Sequence, residues 1–197
     1  SYSGPNLGQH KENFNSLALR VDLLAENLKQ SDGSSGNGKA TFAADLEMAV
    51  EIYQQVLTVQ HEINVIEETE TNPQVCASIA STMIRIGSLY YKLGNRLEEL
   101  RMYKEAKAVY RRAFGENHSF VAGTMKNIGM VLAERGEYDE AMEQFESAKK
   151  AYIADNDGDT VSRDAASAIS CMGNVKNRIG ELDGALKLYM EALNIYK

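Results

Sequence analysis

Little in this chain can staple, kink or anchor it. Among 197 residues there are two cysteines and two prolines. Cys76 and Cys171 lie far apart, each inside a stretch of helical periodicity. Both are therefore read as reduced and structural, which implies a reducing compartment, the cytoplasm. Proline is confined to Pro5 and Pro73, which suits long helices. No run of about 18 apolar residues occurs, and this argues for a soluble chain with no membrane partner. His10, His61 and His118 are scattered, with no second His or Cys at ligand spacing, so no metal site is expected. No Gly-x-Ser-x-Gly, Walker-type loop or dinucleotide fingerprint appears, and no nucleophile, base and metal set; neither an enzyme nor a cofactor is expected. The formal net charge of −7 disfavours nucleic acid, whose phosphates need Lys and Arg. The chain begins with Ser1 and not Met, and reads as a processed or excised piece.

What the chain has in quantity is one pattern. Ser119 to Ala154 splits into two apolar-periodic halves at Arg135-Gly136-Glu137, where glycine can take the left-handed conformation that ends a helix. Met125, Ile128, Gly129 and Leu132 share a stripe in the first half; Tyr138, Ala141, Phe145, Ala148 and Tyr152 share one in the second. The unit is a helix hairpin whose small residues, Gly129, Ala141 and Ala148, permit close approach. One hairpin cannot cover both apolar faces, so it needs neighbours.

The neighbours are present. Gly87, Gly129 and Gly173 recur at intervals of 42 and 44, as do Gly94, Gly136 and Gly180. Tyr103, Phe145 and Tyr189 keep that register, with Ala106, Ala148 and Ala192, and with Tyr110, Tyr152 and Tyr196. These aromatic columns are read as packing residues. The pattern resembles the tetratricopeptide repeat. Its period, longer than the usual 34 or so, is similar to that of the kinesin light chain subtype, which carries Gly-x-x-His before its first helix, as Gly115-Glu116-Asn117-His118 does. Ser119 stands where that subtype usually has proline, and Arg96 and Glu99 replace an aromatic and a small residue. The resemblance covers Pro73 to Lys197 well and Leu17 to Ile66 loosely. It implies an all-α fold, a right-handed superhelical solenoid of antiparallel helix hairpins, with eight helices in four pairs.

Residues 1–10 are read as a flexible N-terminal segment. Residues 11–67 form a degenerate first helix pair, with one stripe on Phe14, Leu17, Val21, Leu24 and Leu28, a flexible Gly/Ser loop at 31–39, and a second helix from about Phe42 to Ile66. Asn72-Pro73 starts a helix, with Asn as cap and Pro preset at the first position. Three clear repeats follow at 73–115, 118–154 and 161–197. Asp155 to Asp159 resembles a calcium loop, yet its glycine is not in the sixth place and the twelfth is Ala166, so it is read as an acidic connection. Asn117-His118-Ser119 matches a glycosylation acceptor, which matters only in a secreted chain.

In stacked hairpins the first helix of each pair lines a concave surface, and its unspent polar positions become a groove. Here those are Arg85, Ser88, Tyr91 and Lys92; then Lys126, Asn127, Met130 and Glu134; then Ser170, Asn174, Asn177 and Arg178. Ten of them, Arg85, Ser88, Lys92, Lys126, Asn127, Met130, Ser170, Asn174, Asn177 and Arg178, are the candidate peptide-binding residues. Asparagine both donates to and accepts from a ligand backbone, and the cations attract acidic side chains. The expected function is a protein-interaction adaptor that takes a peptide or partner helix, of acidic character, in this groove. The alternative is a structural array, or the regulatory domain of a larger protein, that uses its final helix. There Leu186, Tyr189, Leu193 and Tyr196 have no successor to pack against, a feature expected of a truncated chain, of a homo-oligomer through that helix, or of local adjustment.

Overall fold

A computed structural model describes residues 16, 36–66, 72–155 and 163–196, and among them the only regular structure is seven α-helices. These are α1 (Gly36–Ile66), α2 (Pro73–Lys92), α3 (Arg96–Phe114), α4 (Ser119–Arg135), α5 (Tyr138–Asp155), α6 (Arg163–Arg178) and α7 (Leu182–Tyr196). The chain divides into two compact units, Ser1–Met102 and Tyr103–Lys197. The eighth helix, expected on the Phe14–Leu28 stripe, lies outside the described residues apart from Ser16, which is helical. The segment 1–10 also lies outside them.

In the first unit, α1 corrects the sequence reading. Gly36–Lys39, expected as part of a flexible loop, are the opening turn of a 31-residue helix. Once a helix is nucleated, each added residue brings one backbone hydrogen bond. The glycines' cost of about 1 kcal/mol each is too small to stop propagation. Residues 31–35 are outside the described set. Leu46, Ala49, Ile52, Tyr53 and Val56 of α1 are buried with Ile86 and Leu89 of α2 and with Met102. Asn72 caps α2 as expected, its Oδ1 accepting from the Gln74 N–H at 2.9 Å, with Pro73 at the first helical position.

The three hairpin turns repeat one hydrogen-bond pattern. Gly136 has φ 83°, its N–H donates to Ala133 O at 3.3 Å, and the Glu137 N–H reaches back to Leu132 O at 2.9 Å. Gly94 with Asn95, and Gly180 with Glu181, do the same. This closure satisfies the last carbonyls of each first helix and requires a left-handed residue, so the glycine column is a backbone requirement.

In the second unit, α4 pairs with α5, α6 with α7, and α6 also packs on α5. Phe145 on α5 fills the notch left by Gly129 on α4, where an added Cβ would lie 2.7 Å from the ring. Tyr189 on α7 stands against Gly173 on α6 in the same way, at 2.7 Å. The aromatic columns do not all become core, however. Phe145, Tyr103, Tyr110 and Tyr152 are buried, whereas Tyr189 and Tyr196 are 36% and 48% exposed. Burial of these columns depends on a following helix, and among the described residues none lies on α7. Before α4, His118 Nδ1 accepts from the Phe120 N–H at 3.1 Å, and the Ser119 N–H donates to Asp155 Oδ2 at 3.0 Å. Asp155 is the last residue of α5, and the Ser119 hydroxyl beside it holds its carboxyl below the usual range. A negative charge at a helix N-terminus is also favoured by the dipole. The rest of the expected acidic connection, 156–160, is outside the described residues.

Candidate functional site

The ten candidate residues fall into the two units and are placed separately. On α2, Arg85, Ser88 and Lys92 follow one another at steps of three and four, and all three are exposed. Arg85 Nη1 lies 3.4 Å from the Tyr53 hydroxyl of α1, and the Ser88 hydroxyl donates to Ile84 O at 3.0 Å.

The second unit holds a cavity of about 190 Å³ between α4 and α6. Its lining comes from Met130, Ala133 and Glu134 of α4, Phe145 of α5, and Cys171, Asn174, Val175 and Arg178 of α6. Phe145 reaches it because the missing side chain at Gly129 lets the ring pass beside α4. The lining is therefore largely apolar, with Glu134, Asn174 and Arg178 as its polar members. Three candidates, Met130, Asn174 and Arg178, meet at this cavity.

The remaining four differ. Lys126 Nζ donates to the Ser167 hydroxyl at 3.1 Å, which ties α4 to α6. The Ser170 hydroxyl turns back to Ala166 O at 3.0 Å, a local bond common for serine in helices. Asn127 is half-buried and Asn177 exposed. Two of the cavity residues also carry internal bonds. Arg178 Nη1 donates to Ala133 O at 3.3 Å, and Asn174 Oδ1 accepts from the Tyr189 hydroxyl at 2.7 Å. These bonds fix the side chains in place before any ligand arrives, which lowers the entropy lost on binding.

The sequence reading missed Ala133, Phe145, Cys171 and Val175 as cavity residues. The Phe145 column was legible only as packing, and Cys171 only as a structural thiol. Cys171 is partly exposed to the cavity; burial pushes its thiol up, against a smaller downward pull from Lys126. Nearby, Tyr152 is pushed up to about 12, chiefly by burial and then by the charges of Asp164 and Cys171. Its ordinary value is 10.0, so this contribution to stability is complete below pH 10 and lost as pH rises toward about 12. Tyr152→Phe is expected to remove that part of the alkaline destabilisation. Thermal melts of both proteins across the window check it, and parallel alkaline losses would refute it.

Among the described residues, no group of three or more His, Cys, Asp or Glu is placed to hold a metal ion. No described helix is long and apolar enough to cross a membrane.

Comparison with known proteins adds the following. Residues 78–154 match the tetratricopeptide repeat family. The chain is 30% identical over 118 residues to Protein KINESIN LIGHT CHAIN-RELATED 2 of Arabidopsis thaliana, covering 60% of this chain and 18% of that protein. It is 24% identical over 171 residues to Protein KINESIN LIGHT CHAIN-RELATED 3 of the same plant, covering 87% and 25%. The chain thus spans a quarter or less of the length of these relatives. Among solved structures it is similar to BtubC (BKLC) from P. vanneervenii, with TM-score 0.63 and 17% identity over 96% of this chain and 76% of that one. It is also similar to the nearly identical TPR-like repeats of a putative kinesin light chain from Podospora anserina, with TM-score 0.59 and 17% identity over 96% and 88%. At these identities the structures establish the all-α fold.

Proposed function

This chain is a tetratricopeptide-repeat protein with kinesin light chain-like hairpins, and we propose that it is a binding module that holds an extended peptide or partner helix against α4 and α6. The observation that carries the reading is the cavity of about 190 Å³, apolar at Met130, Phe145 and Val175 and polar at Asn174 and Arg178. A site of that make-up suits one apolar side chain of a ligand, with polar groups to fix its backbone. Asn127 and Asn177 extend the polar surface along the two helices, and Lys126 and Arg178 favour acidic residues beside the anchor. Arg85, Ser88 and Lys92 form a comparable exposed stripe on α2 and are proposed as ligand contacts of the first unit. The reading assigns no catalytic step, and Cys76 and Cys171, neither of them in a disulfide, fit a cytoplasmic protein.

The test is selection of binders from a displayed peptide library, followed by calorimetry. Selected peptides are expected to combine an apolar anchor with acidic neighbours. Met130→Glu, and Lys126→Ala with Asn127→Ala, should each weaken them by about tenfold or more, equivalent to about 1.4 kcal/mol, with melting temperature nearly unchanged in Met130→Glu. Peptides that bind these variants as well as the parent would refute the groove. A gain of affinity for acidic peptides in Arg178→Glu would refute the charge preference.

A further inference from the structure

Asn174 brings a side-chain amide to the cavity between α4 and α6, and an amide can face a ligand with either end. Its oxygen accepts and its NH2 donates, and rotation about the last side-chain bond exchanges them. Which end faces the cavity decides what the site can hold.

That choice is made from α7. The Tyr189 hydroxyl lies 2.7 Å from Asn174 Oδ1. Two oxygens at that distance share a proton, and of the two groups only the phenol oxygen carries one. The amide oxygen is therefore turned toward Tyr189. In a planar amide the NH2 lies on the other side of the carbonyl carbon from that oxygen. Tyr189 does not itself line the cavity; its ring is seated on α6, where an added Cβ on Gly173 would lie 2.7 Å from it. Packing thus sets the place of the hydroxyl, and the hydroxyl sets the amide.

The repeat register separates this pair from ordinary packing. Asn174 and Tyr189 stand 44 residues after Met130 and Phe145, the interval that divides Gly173 from Gly129. Met130 and Phe145 line the same cavity from the preceding hairpin, and neither side chain carries a hydrogen-bond donor. Filling the notch at the glycine needs only a ring, as Phe145 shows against Gly129. The hydroxyl is surplus to that task, and it enters one hairpin later together with the amide it meets.

We propose that Tyr189 is a positioning residue for this cavity: it holds the Asn174 NH2 toward the bound chain, which is gripped there through a main-chain carbonyl oxygen. Arg178, on the same helix, carries donors alone, so the two polar side chains that α6 gives the lining both donate. The inference rests on the peptide-binding reading of the cavity. It adds to that reading the end of the peptide group that α6 recognises, and the α7 residue that sets it.

Tyr189→Phe keeps the ring and removes the hydroxyl. Tyr189 is 36% exposed, and phenylalanine already fills this column at position 145, so the melting temperature should stay close to the parent's. The probe is the tightest peptide selected from the displayed library, measured by calorimetry. With the amide free to turn, Tyr189→Phe should weaken that peptide about fivefold, the cost of ordering one more side chain on binding. Asn174→Ala should weaken it at least as much. Adding Tyr189→Phe to Asn174→Ala should then change the affinity by less than about twofold, because the hydroxyl has no amide left to orient. A purely structural hydroxyl would weaken the peptide equally in both backgrounds. That result, or a Tyr189→Phe variant that binds like the parent, overturns the proposal and leaves the cavity a binding site. A library that yields no binder, or a peptide that binds Met130→Glu as well as the parent, overturns the binding reading and this proposal with it.

Discussion

Phe145→Ala is expected to cost about 3–5 kcal/mol. Phe145 is 1% exposed and among the largest fully buried side chains. Its ring lies where a Cβ on Gly129 would stand 2.7 Å away, so it fills a notch that α4 provides only through that glycine. Removing the ring leaves α4 and α5 facing a void that neither helix can close, because Ala141 and Ala148 on the same stripe are already fully buried and already small. The loss should appear as a fall in melting temperature on the order of 10 °C, at about 2–4 °C per kcal/mol for a chain of this size. Tyr189→Ala supplies the control. It empties the same column against Gly173, yet Tyr189 is 36% exposed, so its truncation removes less buried surface and opens a space that water can enter. A loss of less than about half that of Phe145→Ala is expected. Equal losses would show that the column, and not its burial, sets the energy.

The same comparison shows how far the sequence reveals this molecule. Hairpin turns are legible because each needs a left-handed residue, and glycines stand at φ 75°, 83° and 84° at Gly94, Gly136 and Gly180. Asn72 is legible because a cap and its proline are local chemistry. Other features depend on distant neighbours. Tyr189 and Phe145 look alike in one dimension and differ only in whether another helix lies over them. The opening turn of α1 is hidden because glycine and serine signal a loop, whereas the helix beyond them extends at small cost per residue. At the candidate site, the polar stripes on α4 and α6 are readable from period alone. That Lys126 and Arg178 also tie those helices together, through Ser167 and the Ala133 carbonyl, is not. Nor is the aromatic floor at Phe145, since packing and lining a cavity leave the same mark on a sequence.

The other large effect is expected where the repeat breaks its own rule. Arg96 and Glu99 stand in the columns of Tyr138 and Ala141, and of Leu182 and Ala185. An alanine column is thus occupied once by a carboxylate, and Glu99 is only 3% exposed. Arg96 Nη1 meets Glu99 Oε2 at 2.8 Å, donates to Tyr91 O at 3.3 Å, and its guanidinium lies 4.1 Å from the centre of the Tyr91 ring. Desolvating a carboxylate is expensive, and a buried ion pair commonly does little more than offset that cost. The asymmetry sets the prediction. Arg96→Ala removes one partner of a carboxylate that stays buried, and should cost up to about 3 kcal/mol, the low end for a buried pair because Arg96 itself is partly exposed. Arg96→Tyr with Glu99→Ala removes both charges and places here the residue types that stand at Tyr138 and Ala141 one repeat later. It should be neutral or gain about 1–2 kcal/mol relative to the parent. Denaturant unfolding with an unchanged slope measures all three proteins. A double variant no more stable than Arg96→Ala would show that the ion pair is worth more than its desolvation cost, and that this hairpin cannot adopt the packing of its neighbours.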